Sequence, residues 1–240
     1  MKFYASSQIG IGKAENEDRI ILGKSVIAGG SFITNIENGI VAVADGVGGN
    51  NAGEIASHFV ATRLSNAQSV SFESLSQINT DLIDLSHVNP QYKNMATTLS
   101  GLNFNKDKTL IFHIGNTRVY ALQGSKYLKQ LTNDDTTLNY LLVSGRLSPE
   151  DAISFDKKNE IIACFGGGTA ALFKANVSAV DILSPILITS DGIHDFLSVD
   201  ELEDTIDNYG ISLQACERLI ELARQNGSKD DASVIMGGVE

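Results

Sequence analysis

The stretch Val41-Ala42-Val43-Ala44-Asp45-Gly46-Val47-Gly48-Gly49 decides the fold. Its first four residues are apolar, small or β-branched, and show no alternation with polar residues, which predicts a strand buried on both faces. The strand ends at a carboxylate, and the glycines that follow tolerate positive φ and let the backbone approach a ligand closely. A carboxylate beside bare backbone suits a hard cation. A plain Asp-Gly turn explains the same residues equally well.

The same pattern recurs elsewhere in the chain. Ile186-Leu187-Ile188-Thr189-Ser190-Asp191-Gly192 is a second apolar run that ends in Asp-Gly. Two further acids precede apolar runs, namely Asp18 before residues 20–22 and Asp230 before residues 234–236. If these strands share one core, the four carboxylates converge and repel one another, and divalent cations would neutralise them. The sequence therefore predicts a metal site.

Length and charge restrict the class of protein. The chain has 240 residues and no Pro-, Ser- or charge-rich linker, so we predict a single domain over residues 1–240. It carries 18 basic and 29 acidic residues, a formal charge of −11. Such a charge argues against binding of a nucleic-acid backbone. An acidic surface of this kind commonly serves solubility.

The cysteines and the apolar segments indicate a compartment. Cys164 and Cys216 are too few for a disulfide framework and show no zinc spacing, which is typical of a reducing cytosol. Residues 1–7 lack the apolar stretch of a signal peptide, and no run approaches the roughly 18 apolar residues of a membrane span. We expect a cytoplasmic protein that does not bind a membrane.

Periodicity predicts an α+β fold with antiparallel sheets, because strands come in meandering groups and helices in pairs. A strand is expected over residues 171–180, and Ser198 with Glu201 forms a capping box for a helix. His194 is interpreted as a solvent-facing turn residue. Residues 145–170 include the least regular part of the chain, and we interpret them as a mobile flap.

Seven motifs resemble, in order, those of the metal-dependent serine/threonine protein phosphatases of type 2C. The resemblance runs from about residue 6 to residue 237. The motifs are Asn16-Glu17-Asp18, Asp45-Gly46-Val47-Gly48-Gly49 with Ala52-Gly53-Glu54, Met95-Ala96-Thr97-Thr98-Leu99, His113-Ile114-Gly115-Asn116-Thr117-Arg118, Leu131-Thr132-Asn133-Asp134, Ser190-Asp191-Gly192 and Gly227-Ser228-Lys229-Asp230-Asp231. No single motif is specific, whereas seven in the family's order are.

The resemblance implies a four-layer α-β-β-α sandwich, in which two central antiparallel β-sheets are flanked by helix pairs. It also implies two Mn²⁺ or Mg²⁺ ions at one end. Asp45 would bridge both ions and the Gly46 carbonyl would bind one. Asp191 and Asp230 would be direct ligands. Asp18 and Glu17 would act through metal-bound waters or at the edge of the site.

The activity that the resemblance implies is hydrolysis of phosphoserine and phosphothreonine in proteins. Two divalent ions lower the pKa of a bridging water, supply hydroxide for in-line attack on phosphorus, and neutralise the phosphoryl oxygens. The expected partners are phosphorylated proteins, as targets of a serine/threonine kinase, and neither nucleic acid nor a membrane. We expect a monomer.

Three departures from the family pattern bear on turnover. Lys13 stands where the family places a phosphate-binding Arg, so the charge is kept but the bidentate fork is lost. Asn116 stands where an acid helps to hold a third metal ion, and a neutral amide argues against that ion. Asn50 replaces a His, a candidate proton donor.

These departures leave a second hypothesis open, a pseudo-phosphatase that binds phosphoproteins or a partner without hydrolysis. Two other classes fit poorly. An aspartyl-nucleophile phosphatase needs a second Asp two residues after Asp45, and position 47 is Val. A calcium module of the Asp-x-Asp-x-Asp-Gly type has no match.

Overall fold

Two six-stranded sheets and one small sheet form the centre of this computed structural model, which describes residues 1–47, 52–67, 69–124, 126–168, 171–181 and 184–238. The strands are β1 (Lys2–Gln8), β2 (Arg19–Leu22), β3 (Ser25–Ile27), β4 (Gly30–Asn35), β5 (Gly39–Ala44), β6 (Gly46–Val47), β7 (Ala96–Thr97), β8 (Leu99–Phe104), β9 (Thr109–Ile114), β10 (Arg118–Gln123), β11 (Tyr127–Gln130), β12 (Phe165–Gly166), β13 (Asn176–Val180), β14 (Ile186–Thr189) and β15 (Ala232–Gly238). Sheet I has the order β11-β10-β14-β15-β1-β4, and sheet II the order β13-β9-β8-β5-β2-β3. All strand pairings within these two sheets are antiparallel.

The helices lie between groups of strands along the chain. They are α1 (Gly53–Ser65), α2 (Phe72–Val88), α3 (Thr137–Val143), α4 (Pro149–Ala152), α5 (Asp191–His194), α6 (Val199–Tyr209) and α7 (Leu213–Gln225). The predicted capping box of α6 is confirmed, because the Glu201 N–H donates to the Ser198 hydroxyl while the Ser198 N–H donates to the Glu201 carboxylate. Satisfying these end groups fixes where the helix begins.

Strand β5 shows why the sandwich has four layers. Val41 and Val43 on one face belong to the core between the two sheets, and Ala42 and Ala44 on the other face belong to the core under α1 and α2. The absence of polar alternation in this strand therefore reflects burial on both faces, as predicted. The smaller side chains, those of Ala42 and Ala44, face the helices, so α1 and α2 can approach the sheet closely.

Sheet I is covered in the same way by α6 and α7. Ile235 of β15 points into the core between the sheets, and Val234 and Met236 point into the core under these helices. The layers are thus α1 and α2, sheet II, sheet I, and α6 and α7. The predicted α+β class and the two central antiparallel sheets flanked by helix pairs are confirmed.

The structure differs from the sequence prediction in two details. A third, three-stranded sheet of order β12-β7-β6 lies beside the end of β5. The predicted strand 171–180 is too long, because β13 begins only at Asn176 and Leu172 forms just an isolated parallel bridge with Ala163. The Phe173 ring instead packs edge-on against Phe165, at 5.3 Å between centroids, which takes this segment out of the sheet.

No helix within the described ranges is long and apolar enough to cross a membrane.

Candidate metal centre

The first pair of predicted acids, Asp18 and Asp45, lies at the ends of neighbouring strands of sheet II. Arg19 pairs with Ala44 in the antiparallel ladder, so the residue before β2 lies beside the residue after β5. The main chain of Asp45 is held from the other side, where the Thr98 N–H donates to the Asp45 carbonyl over 2.8 Å. The main chain that carries the Asp45 carboxylate is therefore held in place by hydrogen bonding of its own carbonyl.

The second pair, Asp191 and Asp230, lies at the corresponding ends of β14 and β15 in sheet I, which are paired with each other. Gly192 is in close contact with the last acidic motif. A Cβ on Gly192 would lie 1.9 Å from the carbonyl oxygen of Asp231, so this packing requires glycine. The first turn of α5 is thereby pressed against the start of β15.

Hydrogen bonds and charge interactions join the two pairs. The Ser190 hydroxyl donates to Oδ2 of Asp18 over 2.8 Å, which links sheet I to sheet II. Burial raises the pKa of Asp45 well above its usual range, and the charges of Asp191, Asp18 and Asp230 raise it further. Burial also raises the pKa of Asp191, although a hydrogen bond from the Asp45 carboxyl opposes this. The four predicted acids are therefore brought together.

Asp18 is the most enclosed of these carboxyl groups, with 1% of its surface exposed. Burial raises its pKa to about 7, the charges of Asp231 and Asp191 add to the rise, and hydrogen bonds from Ser233 and Ser190 oppose it. Its Oδ1 atom is buried without a hydrogen-bond partner among the described residues. Such an oxygen lacks the positive partner that a buried carboxylate requires.

The chemistry of these oxygen donors suits a hard divalent cation, although the side chains are not arranged around one. In the part of the chain that the structure describes, no group of three or more His, Cys, Asp or Glu side chains is arranged to hold a metal ion. The carboxyl groups nevertheless repel one another, and one buried oxygen of Asp18 has no donor among the described residues. A dication with oxygen ligands would relieve both conditions. Two of the acids instead contact Lys13 and Asn116.

Gly46 and Glu17 lie where the strand end meets α1. The Gly46 N–H donates to the Glu17 carbonyl over 3.2 Å, and a Cβ on Gly46 would lie 2.4 Å from the Gly53 carbonyl oxygen. Burial raises the pKa of Glu17, and the ammonium of Lys13 opposes the rise. Gly46 is therefore required by space, and its carbonyl belongs to the same end of the sandwich as the acids. The neighbouring positions Gly48, Gly49 and Asn50 lie outside the described residues.

Lys13 lies beside the acids, and its amine contacts carboxylates; its predicted contact with a phosphate stays a prediction. It donates to Asp230 Oδ1, to Asp231 Oδ2 over 3.0 Å and to Glu17 Oε2 over 3.4 Å. Asp231, which sequence reasoning did not single out, also accepts the N–H groups of Gly10 over 2.7 Å and Glu17 over 2.9 Å. It therefore ties the first acidic motif to the last. Its only sequence signal is a second carboxylate next to Asp230.

Asn116 contacts the centre from the turn between β9 and β10. Its Nδ2 donates to Oδ2 of Asp191 over 3.0 Å, and its Oδ1 is buried without a partner among the described residues. The turn is fixed because the Gly115 N–H donates to Asp135 over 3.1 Å and His113 Nε2 donates to the Asn133 carbonyl over 2.8 Å. The neutral amide of Asn116 thus donates a hydrogen bond to one carboxylate oxygen of Asp191, a predicted metal ligand.

The interpretation of His194 as solvent-facing is wrong. The residue is 7% exposed, in α5, and its Nδ1 lies 2.7 Å from the Thr189 hydroxyl. Burial and the positive charge of Arg118 lower the pKa of His194 well below its usual range. The ring is therefore neutral and structural. Its place was missed because a short helix, not a turn, follows β14.

A cavity of about 780 Å³ lies beside the centre, under the segment that we interpret as a flap. Its lining includes Asn116 and Asp195 on one side and Lys158 and Asn159 of the flap on the other. Asn159 Nδ2 donates to Asp195 Oδ2 over 2.5 Å, which connects the two sides. The mobility of residues 145–170 stays a prediction, and residues 169 and 170 lie outside the described part.

Comparison with known proteins gives consistent matches. A family model described as Protein phosphatase 2C matches residues 29–226. The serine/threonine protein phosphatase PstP of Mycobacterium tuberculosis is 29% identical over 250 residues, covering 100% of this chain and 45% of PstP, so the chain spans less than half of that relative. The crystal structure of the M. tuberculosis phosphatase PstP/Ppp superposes with a TM-score of 0.82 at 26% identity, covering 100% of both chains.

A structure of the catalytic domain of PstP in complex with two manganese ions also matches, with a TM-score of 0.74 at 25% identity and 98% of each chain covered. The family model spans most of the sequence and includes Asp45, Gly46 and Asp191. The order of the motifs, the fold and these matches agree with one another. This chain belongs to the protein phosphatase 2C family.

Proposed function

We propose that this protein is a metal-dependent phosphoprotein phosphatase that hydrolyses phosphoserine and phosphothreonine. The observation that carries the proposal is the meeting of Asp18, Asp45, Asp191 and Asp230, whose charges act on one another at one end of the sandwich. Carboxylates placed so close to one another need cationic partners, and divalent ions are the partners that phosphoryl transfer to water also needs. Family membership supports the same reaction class.

The residues of this chain divide the work as follows. Asp45 would contact two Mn²⁺ or Mg²⁺ ions, the Gly46 carbonyl one of them, and Asp191 and Asp230 would be further ligands. Asp18 and Glu17 would act through water. When bound, the ions lower the pKa of water and neutralise phosphoryl oxygens. The manganese-containing PstP structure supports the choice of ions.

A third ion is not part of this proposal. Asn116 holds Asp191 by a hydrogen bond of 3.0 Å and adds no negative charge. A neutral amide is a weaker ligand for a dication than a carboxylate, so two ions suit this donor set better than three. Lys13, in turn, is proposed as a single-point contact for the substrate phosphate, since an ammonium lacks the planar fork of a guanidinium.

The expected substrates are phosphorylated proteins, as targets of a serine/threonine kinase, and the names of the relatives support this class. We further propose a monomer in the cytoplasm. Cys164 and Cys216 are buried and free, which agrees with a reducing compartment. Static light scattering of the purified protein would test the monomer.

Hydrolysis of p-nitrophenyl phosphate and of a phosphothreonine peptide tests the function. We expect activity with Mn²⁺ or Mg²⁺ and none with EDTA, because the acids alone cannot neutralise the phosphoryl oxygens. A folded protein that hydrolyses neither substrate with any divalent ion would contradict the proposal. That result would favour the pseudo-phosphatase hypothesis, in which the same surface only binds phosphoproteins.

A further inference from the structure

Lys13 holds an unusual place for a residue proposed to bind phosphate, because its amine is already surrounded by carboxylates. We propose that the Lys13 ammonium is an internal cation that competes with a divalent ion for Asp230, so that Lys13 sets the metal affinity of the centre. The inference rests on the proposed function only for the identity of the ions. It concerns a side chain of this protein and not the ions' own chemistry.

The loop that carries Lys13 is fixed to the last acidic motif by its backbone. The Gly10 N–H donates to Asp231 over 2.7 Å, and a Cβ on Gly10 would lie 2.4 Å from the Lys229 carbonyl oxygen. The Glu17 N–H donates to the same Asp231 carboxylate over 2.9 Å. The two ends of the loop are therefore anchored, and the Lys13 side chain between them is directed to Asp230 and Asp231.

The two aspartates differ in how readily they could exchange partners. The Asp231 side chain is 3% exposed and keeps two backbone N–H donors besides Lys13, so it stays satisfied as an anchor. The Asp230 side chain is 47% exposed, and Lys13 contacts the same Oδ1 that accepts the Asp231 N–H. Solvent and ions reach Asp230, so the exchange of Lys13 for a divalent ion takes place there.

Charge makes the two partners mutually exclusive at Asp230. The Lys13 ammonium contacts Oδ1 of Asp230, and a dication bound to the same carboxylate would lie at contact distance from it, where the two positive charges repel each other. Occupation by the ion therefore requires that the Lys13 amine leave Asp230, while Asp231 keeps it nearby. A displaced but still tethered ammonium is then available for an anionic substrate. If Lys13 formed only a surface ion pair, its removal would change the metal affinity no more than the removal of any other surface positive charge does.

Isothermal titration of Mn²⁺ into the purified protein tests this inference with Lys13→Met, which keeps the apolar stem and removes the charge. We expect about fivefold tighter binding of Mn²⁺ than in the wild type, the size that one or two partly exposed ion pairs give. Lys24→Met is the matched control, because Lys24 is an exposed lysine in the turn between β2 and β3. The control should stay within about twofold of the wild type.

Equal or weaker Mn²⁺ binding by Lys13→Met relative to Lys24→Met would overturn the inference. A second measurement needs no variant and covers the case in which Lys13→Met does not fold. Amine acylation of the wild-type protein is read by peptide mass spectrometry. It should be faster at Lys13 by about threefold or more when Mg²⁺ is added, because an amine must leave its carboxylate partner before it can react. Lys24 should react at the same rate. Unchanged acylation of Lys13 would also refute the competition.

These readouts are independent of catalysis. If the wild type shows Mn²⁺-dependent hydrolysis and Lys13→Met binds Mn²⁺ with unchanged affinity, this inference is refuted and the proposed function remains. Tighter Mn²⁺ binding in Lys13→Met, together with no hydrolysis by the wild-type protein, would do the reverse.

Discussion

At the scale of the residue, the centre consists of carboxyl groups that are costly to bury without a cation. Asp45 and Asp191 share a hydrogen bond, and Asp18 has one oxygen without a donor among the described residues. Burial of these carboxyl groups lowers the stability of the metal-free fold, and in the proposed function a bound cation would offset that cost.

Replacing Asp45 or Asp191 by Asn should therefore abolish phosphatase activity and leave the fold intact. The variants lose a ligand charge, and they also lose a repulsion, so the thermal midpoint in EDTA should be equal to or higher than that of the wild type. Hydrolysis of p-nitrophenyl phosphate with Mn²⁺ and circular dichroism melting measure the two effects. Asp107→Asn, in the exposed β8–β9 hairpin, is the control. Near-normal turnover in either site variant would refute the assignment.

The raised pKa of Asp18 predicts how stability depends on pH in EDTA. Its pKa is about 7 in the fold against a usual value of 3.8, so between these values the folded state holds a proton that the unfolded chain has lost. Unfolding then releases a proton, and the contribution of Asp18 to the free energy of unfolding falls as pH rises, by about 1.4 kcal/mol per unit. The contribution is largest at low pH and is lost by about pH 7.

Urea unfolding of the wild type and of Asp18→Asn, each in EDTA between about pH 5 and about pH 8, isolates this effect. The buried histidines His113 and His194 titrate in both proteins and cancel in the difference, whereas Asp45, whose pKa the charge of Asp18 raises, adds to the difference in the same direction. The wild type should lose stability relative to the variant as pH rises. Parallel pH profiles would show that Asp18 is ionised in the fold throughout.

Asn116→Asp should raise the number of bound Mn²⁺ ions. The new carboxylate loses the hydrogen bond that Asn116 donates to Asp191 and adds a charge beside it. We expect a lower thermal midpoint in EDTA and a titration stoichiometry that rises from two towards three ions. An unchanged stoichiometry would show that the identity of residue 116 does not limit the number of ions.

Several residues of the centre follow from the sequence and others do not. Asp45 and Asp191 can be found because each ends a long apolar run, which is a local pattern. Asp231 and the partners of Lys13 cannot, since Lys13 and Asp231 are more than 200 positions apart and their contact depends on the pairing of β1 with β15. Contacts of this kind have no local signature.

At the scale of the element, the ends of strands carry the acidic residues of the centre, and glycines permit close packing around these strand ends. Gly46 has no room for a side chain, because the Gly53 carbonyl of α1 lies 2.4 Å from where a Cβ would be. The apolar pattern predicts β5 and α1 individually. The small sheet of β12, β7 and β6 was missed because its strands have two residues each, too short for any periodicity.

Gly46→Ala should damage both stability and activity. The added methyl group forces β6 and the start of α1 apart, with an expected cost of about 1–3 kcal/mol in the free energy of unfolding. Activity with Mn²⁺ should fall further than stability explains, because the Gly46 carbonyl moves. Gly29→Ala, whose Cβ would have its nearest neighbour at 3.8 Å, is the control. Wild-type kcat in Gly46→Ala would contradict the close-packing argument.

At the scale of the whole molecule, one core between the two sheets joins both halves of the centre. Ile188 of sheet I and Val41 of sheet II belong to it, and both are completely buried. Sheets that share a core should lose their structure together. A shared core is what the predicted single domain over residues 1–240 would require, although that prediction was made from the absence of a linker.

Ile188→Ala should lower the free energy of unfolding by about 2–5 kcal/mol and keep a single transition. Urea unfolding is followed by far-UV circular dichroism and by tyrosine fluorescence. For each protein, wild type or variant, the two methods should give the same transition. Ile153→Ala is the matched control, at a position that is 78% exposed, and should change stability by less than about 0.5 kcal/mol. Separated transitions would indicate two folding units.

The place of β1 between β4 and β15 has a consequence during synthesis on the ribosome. β4 emerges soon after β1 and can pair with it at once, whereas β15 is made after every other strand of sheet I. Until then the second edge of β1 presents free N–H and C=O groups that can recruit strands of other chains. The nascent polypeptide also holds Asp18 and Asp45 long before Asp191 and Asp230. With the site residues proposed above, it would stay inactive, and most exposed to aggregation, until translation reaches its last acidic motif.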